Sequence, residues 1–414
     1  MKQEYKVYSY RWVVLVVYLL TAAVLQLLWA TFFSVTTTAW QYYGFENAAT
    51  GESAINLLSI IFMVGMIAFS FPAMAAYEKW GFKRVVGLSA VLMAVSAVAR
   101  GAFGASYQAV VISTCGFALA QPFILNAPGL VAGKWFPENE RATANGVGLL
   151  ANYVGMAVGL LVTPLLLAGG GNIPGMLRIY GAAAAAVTIL FLVFAKEKPA
   201  TPPCSEADAK RSDFKEGMKT ALKKKDFVVS IILFFCILGV FNTFFTMIEP
   251  LISSMTDGAV DATGSGIVGV VVLIVGIVGS FVISMISDKD KRRRRLPYMI
   301  LSSLLGIVGL ILFMVLGGLG GMITAGALYG FFIIGSAPVV LTFAAESAYP
   351  TSEGTSEGLL MFAGNVGGVV FLGAASLLGG NHAAVMIGMI AISAICVLLM
   401  LGAKETKLTA AAKK

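Results

Sequence analysis

Long apolar runs limit what this chain can fold into more than any other feature of its sequence. Twelve runs of about 20 or more mostly apolar residues follow one another along its 414 residues. A helix that crosses the hydrocarbon core of a bilayer needs about 20 such residues, at about 1.5 Å per residue. The sequence therefore predicts twelve membrane-spanning helices. They fall at residues 11–37, 54–76, 84–105, 107–133, 142–168, 176–195, 227–254, 264–287, 296–317, 320–347, 356–379 and 383–402.

The composition excludes a soluble protein. Hydrophobic residues make up 58% of the chain and charged residues 12%, with a mean hydropathy of +0.87. Soluble domains carry roughly 25% charged residues, so about half that share leaves too little polar surface to face water. The net charge of +8 would suit binding to nucleic acid. The placement of the basic residues decides against that partner, as the next count shows.

The basic residues set the orientation of the predicted helices. Given the runs above, 27 of the 29 Lys and Arg residues fall in the tails and alternate loops on one side, and only Arg100 and Arg178 fall opposite. Basic loops stay in the cytoplasm. We therefore predict a protein integral to the plasma (cell inner) membrane with both termini cytoplasmic. The basic clusters are accounted for by their role in orienting the helices in the membrane. The lipid bilayer is therefore a predicted partner, and nucleic acid is not.

A polar stretch divides the runs into six and six. We predict an N-terminal six-helix bundle at 1–195, a cytoplasmic linker at 196–226 and a C-terminal six-helix bundle with a cytoplasmic tail at 227–414. The linker contains three prolines and then a charged stretch from Ser212 to Lys225 that is able to form a helix. That stretch is predicted to lie on the inner leaflet.

The two halves repeat one another. An offset of 213 residues aligns Pro137 with Pro350, Glu140 with Glu353, Asn152 with Asn365 and Gly155 with Gly368. A parallel repeat of two six-helix bundles, related by a pseudo-two-fold axis, is the plan of major facilitator transporters. Residues 74–84 resemble the motif of that superfamily, G-x-x-x-D-R-x-G-R-[RK], with Glu78 in place of its Asp. The predicted fold class is therefore an all-α integral membrane protein with the major facilitator fold.

Within that superfamily the chain is similar to the family of the feline leukaemia virus subgroup C receptor, whose members carry choline and ethanolamine and have been linked to haem. The resemblance implies a transporter that moves a small organic cation or zwitterion by alternating access. It rests on three stretches, Gln121-Pro-Phe-Ile-Leu-Asn-Ala-Pro128, Gly148-Leu-Leu-Ala-Asn-Tyr-Val-Gly-Met-Ala-Val-Gly159 and Glu346-Ser-Ala-Tyr-Pro-Thr-Ser-Glu-Gly-Thr-Ser-Glu-Gly-Leu-Leu360.

The resemblance also implies binding residues. The family holds its substrate with a helix 1 tryptophan, a helix 4 glutamine, a helix 7 tyrosine and a helix 11 glutamine. Trp29 and Gln121 match the first two, and Asn365 stands where the second glutamine would be. The tyrosine has no counterpart unless Phe244 or Phe245 serves. An aromatic cage that lacks one wall holds a quaternary ammonium less well.

Three amides lie near the middle of the predicted spans and a fourth, Asn126, lies further along the fourth span, and each allows two interpretations. An unpaired amide in hydrocarbon is costly, so each faces a wet cavity or makes a hydrogen bond to another helix. Trp29 likewise lines the cavity or belongs to the aromatic belt at the membrane surface. The amides are those of Gln121, Asn126, Asn152 and Asn365.

Glu249 is an acid predicted within the seventh span and followed by Pro250. Buried carboxylates in membranes are functional hypotheses by default. Glu249 attracts a cationic substrate, takes up a coupling proton or forms part of an outer gate, and the sequence leaves all three open. A proton is therefore a possible second partner.

Charged residues at the cytoplasmic helix ends are predicted to form an inner gate, in which pairs of opposite charge hold the halves together and separate as the carrier opens. The alternative is that the basic members only set topology. The predicted gate residues are Glu78, Lys83, Arg84, Asp288, Lys291, Arg292, Glu346, Glu353 and Glu357.

Several absences decide between function classes. No G-x-x-x-x-G-K-[ST] motif indicates use of ATP, the one histidine is His382, and no helix carries paired acids at mid-membrane. We therefore predict no enzyme activity, no cofactor and no metal, in a functional monomer. Two alternatives remain, a proton-coupled carrier of another metabolite or drug and a non-transporting membrane receptor. Few basic residues fall within the spans, which argues against an organic anion as substrate.

Overall fold

The chain is all-helical in a computed structural model that describes residues 6–201, 203, 214–290, 294–349, 351 and 353–403. It divides into two compact units, Met1–Ala209 and Lys210–Lys414. The helices of the first unit are α1 (Tyr10–Trp29), α2 (Thr36–Tyr42), α3 (Ala48–Trp80), α4 (Phe82–Phe103), α5 (Tyr107–Leu125), α6 (Pro128–Trp135), α7 (Glu138–Ala168) and α8 (Ile173–Phe194).

The second unit has eight further helices within its described residues. They are α9 (Phe214–Ala221), α10 (Lys225–Thr246), α11 (Ile248–Met255), α12 (Ala262–Lys289), α13 (Leu296–Val315), α14 (Gly318–Ala348), α15 (Glu353–Leu377) and α16 (His382–Leu401). Twelve helices in the described chain are long and apolar enough to cross a membrane, six in each unit. The predicted all-α fold with twelve spans is confirmed.

Three predicted spans are interrupted. The first ends as α1 at Trp29 and a 3-10 turn at Ala30–Phe32, and α2 begins at Thr36. The fourth is divided between α5 and α6, with a break at Asn126 and Ala127, because Pro128 has no N–H to continue the helix. The seventh ends as α10 at Thr246, and the short helix α11 begins after Met247. The second span is longer than predicted, because α3 begins at Ala48 and not near residue 54.

Small residues let the helices of each unit approach closely. A Cβ atom on Gly65 of α3 would overlap the Ala118 carbonyl of α5, and one on Gly279 of α12 would overlap the Phe331 carbonyl of α14. Backbones that approach at glycine are typical of helix packing in membranes. The helices α3 and α5 are the second and fourth spans of the first unit, and α12 and α14 are the second and fourth spans of the second unit. The same pair of helices therefore packs closely at a glycine in both units, as the sequence repeat predicts.

The described start of the predicted linker is attached to the first unit. The Tyr8 hydroxyl lies 3.1 Å from the hydroxyl of Thr201, and the Lys196 ammonium lies 4.5 Å from the centre of the Tyr10 ring. In the second unit, the predicted linker helix is present as α9, and it packs against α14 and α15. Residues 196–201 therefore belong structurally with the end of the first unit where α1 begins, which we call the basic end.

Candidate functional site

Trp29 lies in a group of aromatic rings at the end of α1. Its ring centre is 5.1 Å from that of Phe33 and 6.5 Å from that of Phe62, which in turn lies 5.9 Å from Phe117 of α5. The Trp29 side chain is half-buried, and its indole Nε1 is buried without a hydrogen-bond acceptor. The indole therefore offers both a π-face and an unused donor. We call Trp29, Phe33, Phe62 and Phe117 the Trp29 cluster.

Gln121 lies one helical turn after Phe117 on α5, so the two share a face of that helix. Gln121 is only 8% exposed, and its Oε1 accepts no hydrogen bond. The Oδ1 atom of Asn152 in α7 is also buried without a donor. Buried acceptors without partners are costly, so both amides are suited to a ligand that supplies donors or positive charge.

Gln26 is a further candidate that the sequence prediction missed. It lies three residues before Trp29 on the same face of α1, is 8% exposed, and has a buried Oε1 that accepts no hydrogen bond. Gln121 was selected because an amide within a span faces a wet cavity or another helix, and the same holds for Gln26, which lies well within the first predicted span. It was passed over because the resemblance to the transporter family does not include this position.

Two tyrosines hold the interruption between α5 and α6. Pro128 has no N–H for the Ile124 carbonyl four residues earlier, and the Ala127 N–H bonds to Ile124 rather than to Phe123. The Tyr18 hydroxyl donates to the Ile124 carbonyl at 3.0 Å, and the Tyr77 hydroxyl donates to the Phe123 carbonyl at 2.6 Å. Irregular backbone at membrane depth needs such replacement partners.

Asn126 takes its position from this interruption. It is the residue that ends α5, it is half-buried, and it lies directly before the break. The carbonyls of Phe123 and Ile124 just before it are the ones that the two tyrosines hold. The structure places Asn126 beyond Gln121 along α5, and its predicted role in binding stays a prediction.

Close packing of α7 on α1 fixes the level of Asn152. A Cβ on Gly155 would overlap the Ala23 carbonyl, and one on Gly159 would lie 3.0 Å from the Cβ of Ala30. The two helices run in the same direction at this interface, because the later glycine of α7 meets the later residue of α1. The part of α7 that follows Asn152 therefore packs against the part of α1 that carries Gln26 and Trp29. These helices are thereby held at a fixed register.

Arg100 is buried within α4, inside the third predicted span. Its side chain is 2% exposed, and its guanidinium carbon lies 5.0 Å from the ring centre of Phe32 and 5.4 Å from that of Phe117. A buried basic residue therefore contacts the Trp29 cluster through Phe117.

Phe244 and Phe245 are packed inside the second unit. Phe244 is 1% exposed, with its ring centre 5.3 Å from Phe313 and 4.9 Å from Tyr329, and Phe245 is fully buried beside Phe241 at 4.7 Å. Tyr329 of α14 brings a hydroxyl to this group, and that hydroxyl is buried without a hydrogen bond. The binding roles predicted for the two phenylalanines remain predictions.

The other two candidates of the second unit lie on different helices. Asn365 of α15 is half-buried, and its side-chain Nδ2 donates to the Met361 carbonyl one turn earlier at 2.8 Å. Glu249 is buried in the first turn of α11, after the break that ends the spanning helix α10. Glu52 is a second buried acid, missed because it lies just before the predicted start of its helix.

At the basic end of the first unit the central acid is Glu197, which the sequence prediction missed. Its carboxylate accepts the backbone N–H groups of Phe82 and Lys83, at 3.0 and 2.6 Å, and pairs with the Lys134 ammonium at the end of α6. Partial burial opposes ionisation of Glu197, but these donors outweigh it and hold the pKa of its carboxyl below the usual value.

The predicted gate residues of the first unit lie around this acid. Glu78 is exposed in the last turn of α3, and Lys83 and Arg84 begin α4. The Lys83 backbone N–H donates to the Glu197 carboxylate. The part of the three predicted residues in gating stays a prediction.

In the second unit Arg295 links two predicted gate acids. It lies 2.6 Å from Asp288 and 3.7 Å from Glu346, and it donates to the Ser287 hydroxyl at 2.9 Å. Four further gate residues were predicted in this unit. Lys291 and Arg292 lie outside the described residues, the structure describes only the backbone of Glu353, and Glu357 is half-buried in α15.

Two units with six helices of membrane-spanning length each define a polytopic membrane protein. Residues 14–372 match the family model described as Major Facilitator Superfamily. The chain belongs to the Major Facilitator Superfamily of transporters. No cluster of three or more His, Cys, Asp or Glu side chains with metal-binding geometry occurs in the part of the chain that the structure describes.

The chain is similar to vertebrate transporters along most of its length. It is 28% identical to the choline/ethanolamine transporter flvcr2a of Danio rerio, over 97% of this chain and 86% of that protein. It is also 28% identical to the choline/ethanolamine transporter FLVCR1 of Felis catus, over 87% of this chain and 66% of that protein. The human choline/ethanolamine transporter FLVCR2 is 27% identical, over 88% of this chain and 71% of its own.

Solved structures match the fold. A bacterial homologue of the human lysosomal transporter Spinster, inward-facing and unoccupied, has a TM-score of 0.75 at 15% identity, covering 95% of this chain and 97% of its own. A D-xylose–proton symporter has a TM-score of 0.76 at 14% identity, covering 96% and 99%. At this level of identity the likeness shows the fold alone.

Proposed function

We propose that this chain carries a small organic cation or zwitterion of the choline or ethanolamine type across the plasma membrane by alternating access. The observation that carries the proposal is the Trp29 cluster, in which a half-buried indole stands with Phe33 and Phe62. Aromatic faces bind quaternary ammonium groups through their negative quadrupole. The relatives named choline/ethanolamine transporters support the same class of substrate.

Gln121 and Asn365 complete the proposed binding residues, with Gln26 added on the evidence of its buried acceptor. A carboxamide oxygen without a donor is suited to the hydroxyl of choline or the ammonium of ethanolamine. Asn126, Asn152, Phe244 and Phe245 are secondary candidates. We propose that the protein works as a monomer with both termini in the cytoplasm, where the basic loops would stay.

Uptake of labelled choline into proteoliposomes tests this function directly. We expect saturable uptake that ethanolamine competes for and that Trp29→Ala abolishes. Trp12→Ala is the matched control, because Trp12 lies on the same helix at the basic end and its side chain is 44% exposed. Uptake no greater than in empty liposomes would reject the substrate class and leave a carrier of another metabolite or drug. A wild-type rate in Trp29→Ala would reject the site.

Proton coupling is a second proposal, and it rests on the burial of Glu249 in α11. A carboxyl group that gains and loses a proton as the carrier turns would link solute movement to a proton gradient. In Glu249→Gln we expect accumulation against a gradient to stop while exchange of labelled for unlabelled solute continues. Unchanged accumulation in that variant would leave facilitated diffusion as the mode of transport.

A further inference from the structure

Arg100 is a buried cation without a counter-charge. Its side chain is 2% exposed, and no Asp or Glu oxygen lies within ion-pairing distance of it in the part of the chain that the structure describes. Contact with the rings of Phe32 and Phe117 offsets part of the loss of hydration. An intramembrane cation without an acid remains costly, and such residues are functional candidates by default.

The hydrogen bonds of Arg100 are also incomplete. A guanidinium has five N–H donors in a planar fork. The structure gives it one hydrogen bond, from an Nη to the Leu28 carbonyl at 3.4 Å, and its Nε is buried without any acceptor. A fork of this shape fits the two oxygens of a carboxylate or phosphate. What the group lacks is therefore an acceptor with negative charge.

Arg100 is joined to the Trp29 cluster in two ways. Its one hydrogen bond reaches Leu28, the residue directly before Trp29. Its guanidinium lies against Phe117, which packs on Phe62, which packs on Trp29. The Trp29 indole Nε1 is a second buried donor without an acceptor. Two buried donors without acceptors therefore adjoin the Trp29 cluster, and Arg100 is the one that carries charge.

Unsatisfied acceptors lie on the same helices. Gln26 Oε1, three residues before Trp29, and Gln121 Oε1, four residues after Phe117, are buried and accept no hydrogen bond. A ligand that satisfies both sets needs a negative end for Arg100 and a positive end for the aromatic rings and amides. A bare cation such as choline would meet the charge of Arg100 without compensation.

We propose that Arg100 forms an oxyanion subsite, so that the preferred solute is a zwitterion with a carboxylate or phosphate on Arg100 and its ammonium group at Trp29. This inference rests on the proposed function, since it names the chemical class of the substrate held by the same cluster. The subsite binds the oxyanion through the Nε and Nη donors, and the hydrogen bond to Leu28 keeps the guanidinium against α1.

Calorimetric titration of the full-length purified chain tests the subsite. The probes are glycine betaine and phosphocholine as zwitterions, choline as the bare cation, and acetate and phosphate as free anions. We expect at least one zwitterion to bind tenfold or more tightly than choline. Arg100→Gln should weaken that zwitterion at least tenfold and leave choline unchanged or tighter, while Arg100→Lys retains part of the preference because it retains the charge.

Arg178→Gln is the matched control, because it removes the same charge from an exposed position. It should bind every probe as the wild type does. If choline binds the wild type as tightly as both zwitterions, and Arg100→Gln weakens all three alike, the subsite is rejected while the ammonium site stands. Arg100 would then be a structural tie to Leu28.

A second measurement keeps the two proposals separable. Acetate or phosphate at millimolar concentration should raise the melting temperature of the wild type and of Arg178→Gln, and should leave that of Arg100→Gln unchanged. That result without binding of any ammonium probe would support the oxyanion subsite and reject the choline class. Equal stabilisation of the wild type and Arg100→Gln by the anions would reject the subsite whatever the ammonium probes do.

Discussion

The carboxylate of Glu197 accepts the backbone N–H of Lys83 at 2.6 Å, although 114 residues separate the two in sequence. The same carboxylate accepts the N–H of Phe82 at 3.0 Å and pairs with the Lys134 ammonium. The first N–H groups of a helix have no partner within it, so Glu197 supplies to α4 the acceptors that its own N-cap, Gly81, lacks. A residue just after the sixth span thus joins the start of the third span to the end of the fourth.

Glu197→Gln is expected to lower the stability of the first unit by about 1 kcal/mol, which is the usual effect of losing a side-chain helix cap. The carboxyl pKa is lowered in the folded state. Its contribution is therefore complete above the unfolded value near 4.5 and is lost as the pH falls through the lower folded pKa. Melting temperatures measured across pH 3–7 should converge for wild type and variant at the acid end. Glu46→Gln, at an exposed position, is the control and should follow the wild type throughout.

The tyrosines at the interruption of the fourth span give a second prediction. Tyr77→Phe removes the donor to the Phe123 carbonyl and leaves a buried acceptor without a partner, which should cost about 1–3 kcal/mol. Tyr329→Phe removes a buried hydroxyl that makes no hydrogen bond, so it should leave stability unchanged or raise it. Thermal unfolding of the two variants compares these directly. Equal losses would mean that the hydroxyl of Tyr77 does not hold the break.

Close approach of α7 to α1 gives a third prediction. Gly155→Ala would force a methyl group into the backbone carbonyl of Ala23, and overpacking of this kind costs about 1–3 kcal/mol. Gly146→Ala on the same helix places its methyl group where no atom lies within 4 Å. We expect the first variant to melt well below the wild type and the second to match it or exceed it. Size-exclusion profiles of the two would show whether the loss reflects the packing of these helices.

The number of spans and the fold were predictable from sequence, because each span is defined by about 20 residues and one misplaced charge changes little. The residues at helix ends were not. Arg100 was predicted within the third span, but no local pattern shows that its side chain is buried against Phe32 and Phe117. Glu52 was placed outside the second span, which was predicted to begin at residue 54, whereas α3 begins at Ala48.

Glu197 and the two tyrosines were missed for a different reason. Their roles depend on partners that lie 46 to 115 residues away in sequence, and no local pattern records those contacts. The repeat was found, but with an error of one residue in its register. Gly155 approaches Ala23, and the corresponding contact is that of Gly367 with Phe235, each 212 residues further on, whereas the sequence strings gave an offset of 213.

Substitution of Gln26 gives the last prediction, in which the affinity for the solute falls while the stability of the protein holds or rises. Leucine has nearly the volume of glutamine but no polar atom, so Gln26→Leu removes a buried acceptor that has no donor. Removing an unsatisfied polar group is neutral or stabilising, by up to about 1–3 kcal/mol. If Gln26 contacts the solute, its affinity should fall about tenfold while the melting temperature holds or rises. Gln108→Leu at an exposed position of α5 is the control for both readouts. A fall in both would mean that Gln26 supports the packing of α1, and unchanged affinity would restrict the site to the positions that the family resemblance identified.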